Sequence, residues 1–210
     1  MVIRQLGMVD YVTTWRAMQQ FTAQRETHTA DEIWLLQHLP VYTLGQAGRD
    51  ELLHQTTDIP LIRSDRGGQI TYHGPGQWVA YALLDLRRLG FGVRELVSRL
   101  EQSIIDILSD YHIVAQRREH APGVYVGDAK IAALGLRIRH GCCYHGLALN
   151  VDMDLRPFSA IHPCGYQQLA VTQLQDLAGN ATMQHVGEQL LAVLTQYLTT
   201  SNLGRNFKPK

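Results

Sequence analysis

The sequence predicts a mixed α+β fold, an antiparallel or mixed sheet with helices packed on it. Two long segments, residues 93–111 and 183–198, repeat apolar side chains at the helical period. Between and before them, short apolar runs are punctuated by glycine and proline in the manner of strands and turns. At 210 residues, 45% of them apolar, with no repeat, low-complexity tract or linker, the chain is expected to form one domain over residues 1–210 around a sizeable core.

Residues 13–28 read as the first helix, with Trp15, Met18 and Phe21 recurring on one side. In residues 32–44 the apolar Ile33, Leu35, Val41 and Leu44 flank Pro40, so two short strands are expected rather than one helix. Residues 59–63 give another strand. The stretch DRGGQITYHGPG, from Asp65 to Gly76, holds too many glycines for regular structure beyond its central four or five residues. Residues 77–86 then form an apolar run suited to a central strand. In 93–111, Leu96, Val97, Leu100, Ile104, Ile107, Leu108 and Tyr111 make a face that should lie on the sheet. Ala121-Pro122-Gly123 breaks the chain, residues 123–126 form a short strand, and 130–138 pairs with 142–151 as a hairpin across Arg139-His140-Gly141. After an irregular stretch to Gln168, residues 171–177 and 183–198 read as helices, the second packing Val186, Leu190, Leu191, Leu194 and Tyr197.

A formal charge of zero excludes a general polyanion binder, since nucleic-acid binding leaves a basic excess and only local arginine clusters occur here, such as Arg137 with Arg139. The first ten residues carry Arg4 and Asp10 without an apolar run, and no stretch reaches membrane length. A cytosolic protein is therefore expected, and an odd count of three cysteines fits a reducing compartment.

Two glycine-rich contexts hold the residues best suited to covalent chemistry: Gly-Asp-Ala-Lys ending at Lys130, and His-Pro-Cys-Gly around Cys164. A thiolate attacks acyl carbons readily, and a lysine kept partly neutral by apolar company can take and return the proton. Ile131, Ala132, Ala133 and Leu134 supply such company beyond Lys130. His73, His145 and His162 remain rival bases for Cys164. The turns Arg66-Gly67-Gly68-Gln69 and His73-Gly74-Pro75-Gly76 bracket a short strand and can serve either as a ligand-approaching loop or as two plain turns. No Gly-Lys-Ser/Thr follows, which excludes a Walker-type loop. A zinc site is disfavoured, because adjacent Cys142 and Cys143 point to opposite faces of a strand and no ligand spacing is familiar.

RGGQITYHGPGQ (residues 66–77), APGVYVGDAKIAALGLRIRHGCCYHGLALNV (121–151) and IHPCGY (161–166) closely resemble the lipoyl(octanoyl) transferases, which move octanoyl groups from acyl carrier protein to proteins in lipoate biosynthesis. The resemblance spans nearly the whole chain. It implies a fold of the biotin and lipoate protein ligase type, without the accessory C-terminal domain of many lipoate ligases. It implies Cys164 as nucleophile and Lys130 as its partner. It also implies substrate-binding segments at Arg66, Gly67, Gly68 and Gln69, at Ile70, Thr71, Tyr72 and His73, at Ala133, Leu134 and Gly135, and at Gly146, Leu147 and Ala148. Ala132 and Cys143 differ from some relatives, as packing variants. The implied partners are acyl carrier protein, the lipoyl domains of 2-oxoacid dehydrogenase complexes and the glycine cleavage H protein, with no nucleic acid and no membrane. No cofactor, ATP or metal is expected, because the substrate carries phosphopantetheine and a thioester is already activated. An ATP-dependent lipoate or biotin ligase on the same fold, or a non-catalytic acyl- or carrier-binding module, are the rival readings.

Overall fold

The computed structural model describes residues 1–49, 53, 57–161 and 169–199. A six-stranded sheet runs in the order β1-β2-β6-β9-β8-β7, formed by β1 (Val2–Val9), β2 (Glu32–His38), β6 (Gln77–Asp85), β9 (Cys142–Asn150), β8 (Ala129–Arg139) and β7 (Gly123–Val126). A three-stranded sheet runs β4-β3-β5, from β4 (Leu61–Arg63), β3 (Val41–Leu44) and β5 (Ile70–His73). β1 pairs in parallel with β2 and β3 with β4, while the other named strand pairs are antiparallel. The mixed sheet expected from the sequence is present.

Helices α3 (Val93–Asp110) and α5 (Met183–Thr199) cover one face of the large sheet. Leu96, Leu100, Ile104, Val186, Leu190 and Leu194 pack there with Leu84, Cys143, Leu147 and Leu149. Each such fully buried aliphatic contributes about 1.5–3 kcal/mol. Helix α1 (Tyr11–Ala23) lies on the other face, where Met18 meets Trp34, Val79, Tyr81, Tyr144 and Ala148. Strand alternation sorts β9 between these cores, Cys143 into the first and Tyr144 into the second. A third cluster, Tyr42, Ile70, Tyr72, Phe158 and Ile161, holds the small sheet. The 8–9 hairpin turns on His140 and Gly141, both at positive φ, as a two-residue connection requires.

Two expectations need correction, and two elements were not expected. Residues 2–9 are a strand that the sequence did not announce: seven of its eight residues are exposed, and it is held at the sheet edge by its ladder and by Arg4, which grips Glu32 at 2.5 Å. The first helix begins at Tyr11, capped by Asp10 accepting from the Thr13 amide, and stops at Ala23, short of His28. A one-turn helix α2 (Leu86–Leu89) follows β6 directly, capped by the Asp85 carboxylate. The helix expected over 171–177 is α4 (Leu174–Ala178), because Val171 instead bridges Lys130 in parallel. Among the described residues no helix is long and apolar enough to cross a membrane.

Candidate active site

A cavity of about 240 Å³ lies beside the central strands, below the ~300–1,000 Å³ of pockets that hold drug-sized ligands. Small residues form part of its wall. The pairs Ala133 with Ala148 and Gly135 with Gly146 sit opposite one another on β8 and β9, with Val79 and Tyr81 continuing the row on β6. Against them comes the loop after β4. The Gly67 amide donates to the Leu136 carbonyl at 2.9 Å, and a Cβ at Gly135 would stand 3.0 Å from the Gly67 carbonyl, so the close approach needs glycine.

Arg66 makes this loop rigid. Its buried guanidinium donates to Thr43 Oγ1 at 2.9 Å and to the carbonyls of Thr43, Gly67 and Gln69 at 2.5, 2.9 and 2.7 Å. These bonds turn the guanidinium inward, onto the protein rather than into solvent. Gln69 Oε1 is buried and accepts no hydrogen bond from the described residues. Gly68, Ile70, Thr71, His73, Leu134 and Leu147 also line the cavity, whereas Tyr72 stands apart in the third cluster, edge-on to Phe158.

Several polar residues around the cavity were not singled out from the sequence. Gln77 Nε2 donates to Asn150 Oδ1 at 2.9 Å, so its Oε1 accepts from His73 Nδ1 at 2.7 Å, and His73 keeps Nε2 as an acceptor. Tyr11 stacks on His73, with centroids 6.1 Å apart, and its hydroxyl meets Ser64 Oγ at 2.7 Å. His38 Nδ1 donates to the Val9 carbonyl, which leaves Nε2 to accept from Tyr81 at 2.7 Å. His145 adopts φ 61° inside β9 and donates from Nε2 to Asp65 at 2.9 Å. Burial would raise Asp65, yet hydrogen bonds from His145, Tyr144 and Gln19 outweigh it and hold the carboxyl well below its ordinary range. Trp15 Nε1 adds a further donor at 2.7 Å. His73 and His145 are among the candidate bases named from the sequence, and Asp65 opens the glycine-rich stretch, whereas Tyr11, His38 and Tyr81 gave no such signal.

Burial pushes His38, His73 and His145 down from the ordinary 6.5, His38 to about 4, although Asp65 opposes the shift at His145. Above about pH 7 neither folded nor unfolded chain protonates these rings, and they leave stability unaffected. As pH falls from 6.5 toward 4, the unfolded chain binds protons that the folded chain refuses. Stability therefore drops by about 1.4 kcal/mol per pH unit for each ring that stays neutral. Urea midpoints should decline across this window; a midpoint level between pH 7 and 5 would contradict the assignment.

Lys130 is buried at the cavity edge. Its Nζ donates to the Pro122 carbonyl at 3.2 Å and lies 5.1 Å from the Tyr125 ring centroid. Its company is less apolar than the sequence suggested, since a carbonyl and a ring face are partners for a cation. The Lys130 amide donates to the Ala170 carbonyl at 2.8 Å and its carbonyl accepts from the Thr172 amide at 3.0 Å. Cys164 and His162 lie outside the described residues. On either side of that segment, Phe158 and Val171 both line the cavity. Among the described residues no group of three His, Cys, Asp or Glu could hold a metal ion.

The sequence matches the family described as Lipoyl protein ligase A/B catalytic domain over residues 10–195. The chain belongs to that family. It falls with octanoyltransferases there: it is 63% identical to the Octanoyltransferase of Thiobacillus denitrificans, over 92% of this chain and 89% of the relative. It is 60% identical to that of Dechloromonas aromatica, over 96% and 98%. The fold agrees with a crystal structure of lipoate-protein ligase A bound with ATP, at TM-score 0.77 and 14% identity, covering 94% of this chain and 85% of the other. The lipoate-ligase fold and the acyltransferase class read from the sequence therefore hold for this family member.

Proposed function

We propose that the chain transfers an octanoyl group from an acyl-carrier-protein thioester to the ε-amine of a lysine on lipoyl domains, by way of a thioester on Cys164. One observation carries the residue roles: the described segments flanking Cys164 converge with Lys130 on a narrow, largely apolar cavity of family-matched sequence. In the first half, the Cys164 thiol loses its proton to Lys130. The thiolate attacks the octanoyl carbonyl, the bond to the phosphopantetheine sulfur breaks, and Lys130 returns the proton to the departing thiolate. In the second half, the acceptor lysine amine attacks the acyl-enzyme and Cys164 leaves as thiolate. An amine of ordinary pKa about 10.4 arrives protonated at neutral pH, so it must give up a proton, and Lys130 is the acceptor in reach of the cavity.

The Ala and Gly wall leaves room for a slim acyl chain. No ATP or metal enters, because the incoming thioester is already activated. The donor is acyl carrier protein. The acceptors are lipoyl domains of 2-oxoacid dehydrogenase complexes and the glycine cleavage H protein, met in the cytosol. Octanoyl carrier protein without ATP should add one octanoyl mass to the intact chain, and a lipoyl domain should then discharge it as an amide. A strict need for ATP would make the protein a ligase. Tight acyl binding with neither adduct nor product would make it a binding module.

A further inference from the structure

Behind Lys130, on the side of α3, lies a carboxylate that the transfer chemistry above does not use. Glu101 is 6% exposed, deep in the helix that packs under the sheet. Its Oε1 accepts the Gly123 amide at 3.0 Å, and its Oε2 meets Arg117 Nε at 3.1 Å. Gly123 follows Pro122, whose carbonyl receives Lys130 Nζ. Gly123 itself has φ 140°, and a Cβ there would stand 3.0 Å from Lys130 Cε and 3.3 Å from Nζ. The Pro122-Gly123 turn is thus the bed on which the lysine lies, and Glu101 fastens it.

We propose that Glu101 is a positioning residue for the transfer reaction, holding the Pro122-Gly123 turn under Lys130 and placing a negative charge behind the lysine that keeps a proton on the Cys164–Lys130 pair. The inference rests on the assignment of that pair. Burial raises the carboxyl of Glu101 above its ordinary value, against the Gly123 amide, Arg117 and the charge of Lys130, which draw it toward the anion. The described groups facing Lys130 are Glu101 from α3, Tyr125 from β7, and Arg117 and Arg118, the first ion-paired to Glu101 and the second stacked on the Tyr125 ring. Both arginines oppose Glu101, and Arg118 is itself ion-paired with the exposed Asp128. The carboxylate is therefore the anion among them that favours a proton at Lys130. A buried opposite charge moves such an equilibrium by roughly one to three pH units.

Glu101→Gln keeps an acceptor for the Gly123 amide and removes the charge. Its rate of acyl-adduct formation from octanoyl carrier protein, followed by intact mass against pH, should show the alkaline limb displaced downward by about one unit, with the unfolding midpoint little changed and Glu101→Asp restoring part of the shift. Arg117→Gln, at a half-exposed position, removes the counter-charge and should move the same limb upward. It decides the question alone if Glu101→Gln fails to fold. Opposite displacements support the proposal, since a merely structural contact would not change sign with charge. Profiles superimposable on the parent in the folded variants overturn it. Lys130→Ala, assayed alongside, separates the two readings: if it forms adduct at the parental rate, the assignment of Lys130 fails first; if it is inactive while both profiles stay unmoved, only the role of Glu101 falls.

Discussion

Replacing Cys164 by alanine is expected to abolish the octanoyl adduct and the amide product together, lowering transfer by roughly a thousandfold or more, as loss of a covalent nucleophile does. The other two cysteines offer no substitute. Cys143 is fully buried in the core under α3 and α5, and burial, followed by the neighbouring Cys142, pushes its thiol far up. Cys142 opens β9 at the opposite end from Asn150 and borders a separate hollow among Arg25, Arg87, Arg88 and Arg139. Intact-mass analysis of Cys164→Ala after incubation with octanoyl carrier protein reads the result directly. An adduct of parental yield would remove Cys164 from the mechanism.

A large loss of stability is expected from Gly146→Ala. A Cβ at this position would stand 1.9 Å from the Ala80 carbonyl on the neighbouring central strand, where no flexible side chain can yield. The preceding residue, His145, already takes the left-handed conformation, so local backbone adjustment is limited. Overpacking against backbone costs about 3 kcal/mol or more, which for a chain of this size lowers Tm by about 6–12 °C. Thermal unfolding of the purified variant measures it; a Tm within a degree of the parent would mean that the two strands separate more easily than their ladder implies.

Elements whose apolar residues are buried on a definite face were legible before any coordinates. The α3 stripe from Leu96 to Leu108 and the β8–β9 hairpin around His140-Gly141 follow from period and turn chemistry alone. Strand β1 was not, because an edge strand exposed along most of its length carries no alternation, and its ladder to β2 is invisible locally. The extent of α4 was misread for a related reason: Val171 is apolar in a helix-like pattern, but its bridge to Lys130 is a long-range pairing. At the site, motif strings gave the loop and the β8–β9 segments. Tyr72 shows their limit, since β5 alternation turns it into the third cluster while Thr71 and His73 line the cavity. Glu101, His38, Tyr81 and Asn150 come from four separate elements, and only folding brings them near the same hollow.

The wall of Ala133, Gly135, Gly146 and Ala148 has almost nothing left to trim. Redesign of the enzyme's chain-length range from this side is consequently one-directional. In the proposed acyl cavity, bulk added at Ala133 or Ala148 would shorten the longest tail admitted, whereas a Cβ at Gly135 or Gly146 meets backbone first, and a roomier bore has to be carved from Val79, Leu134 or Leu147.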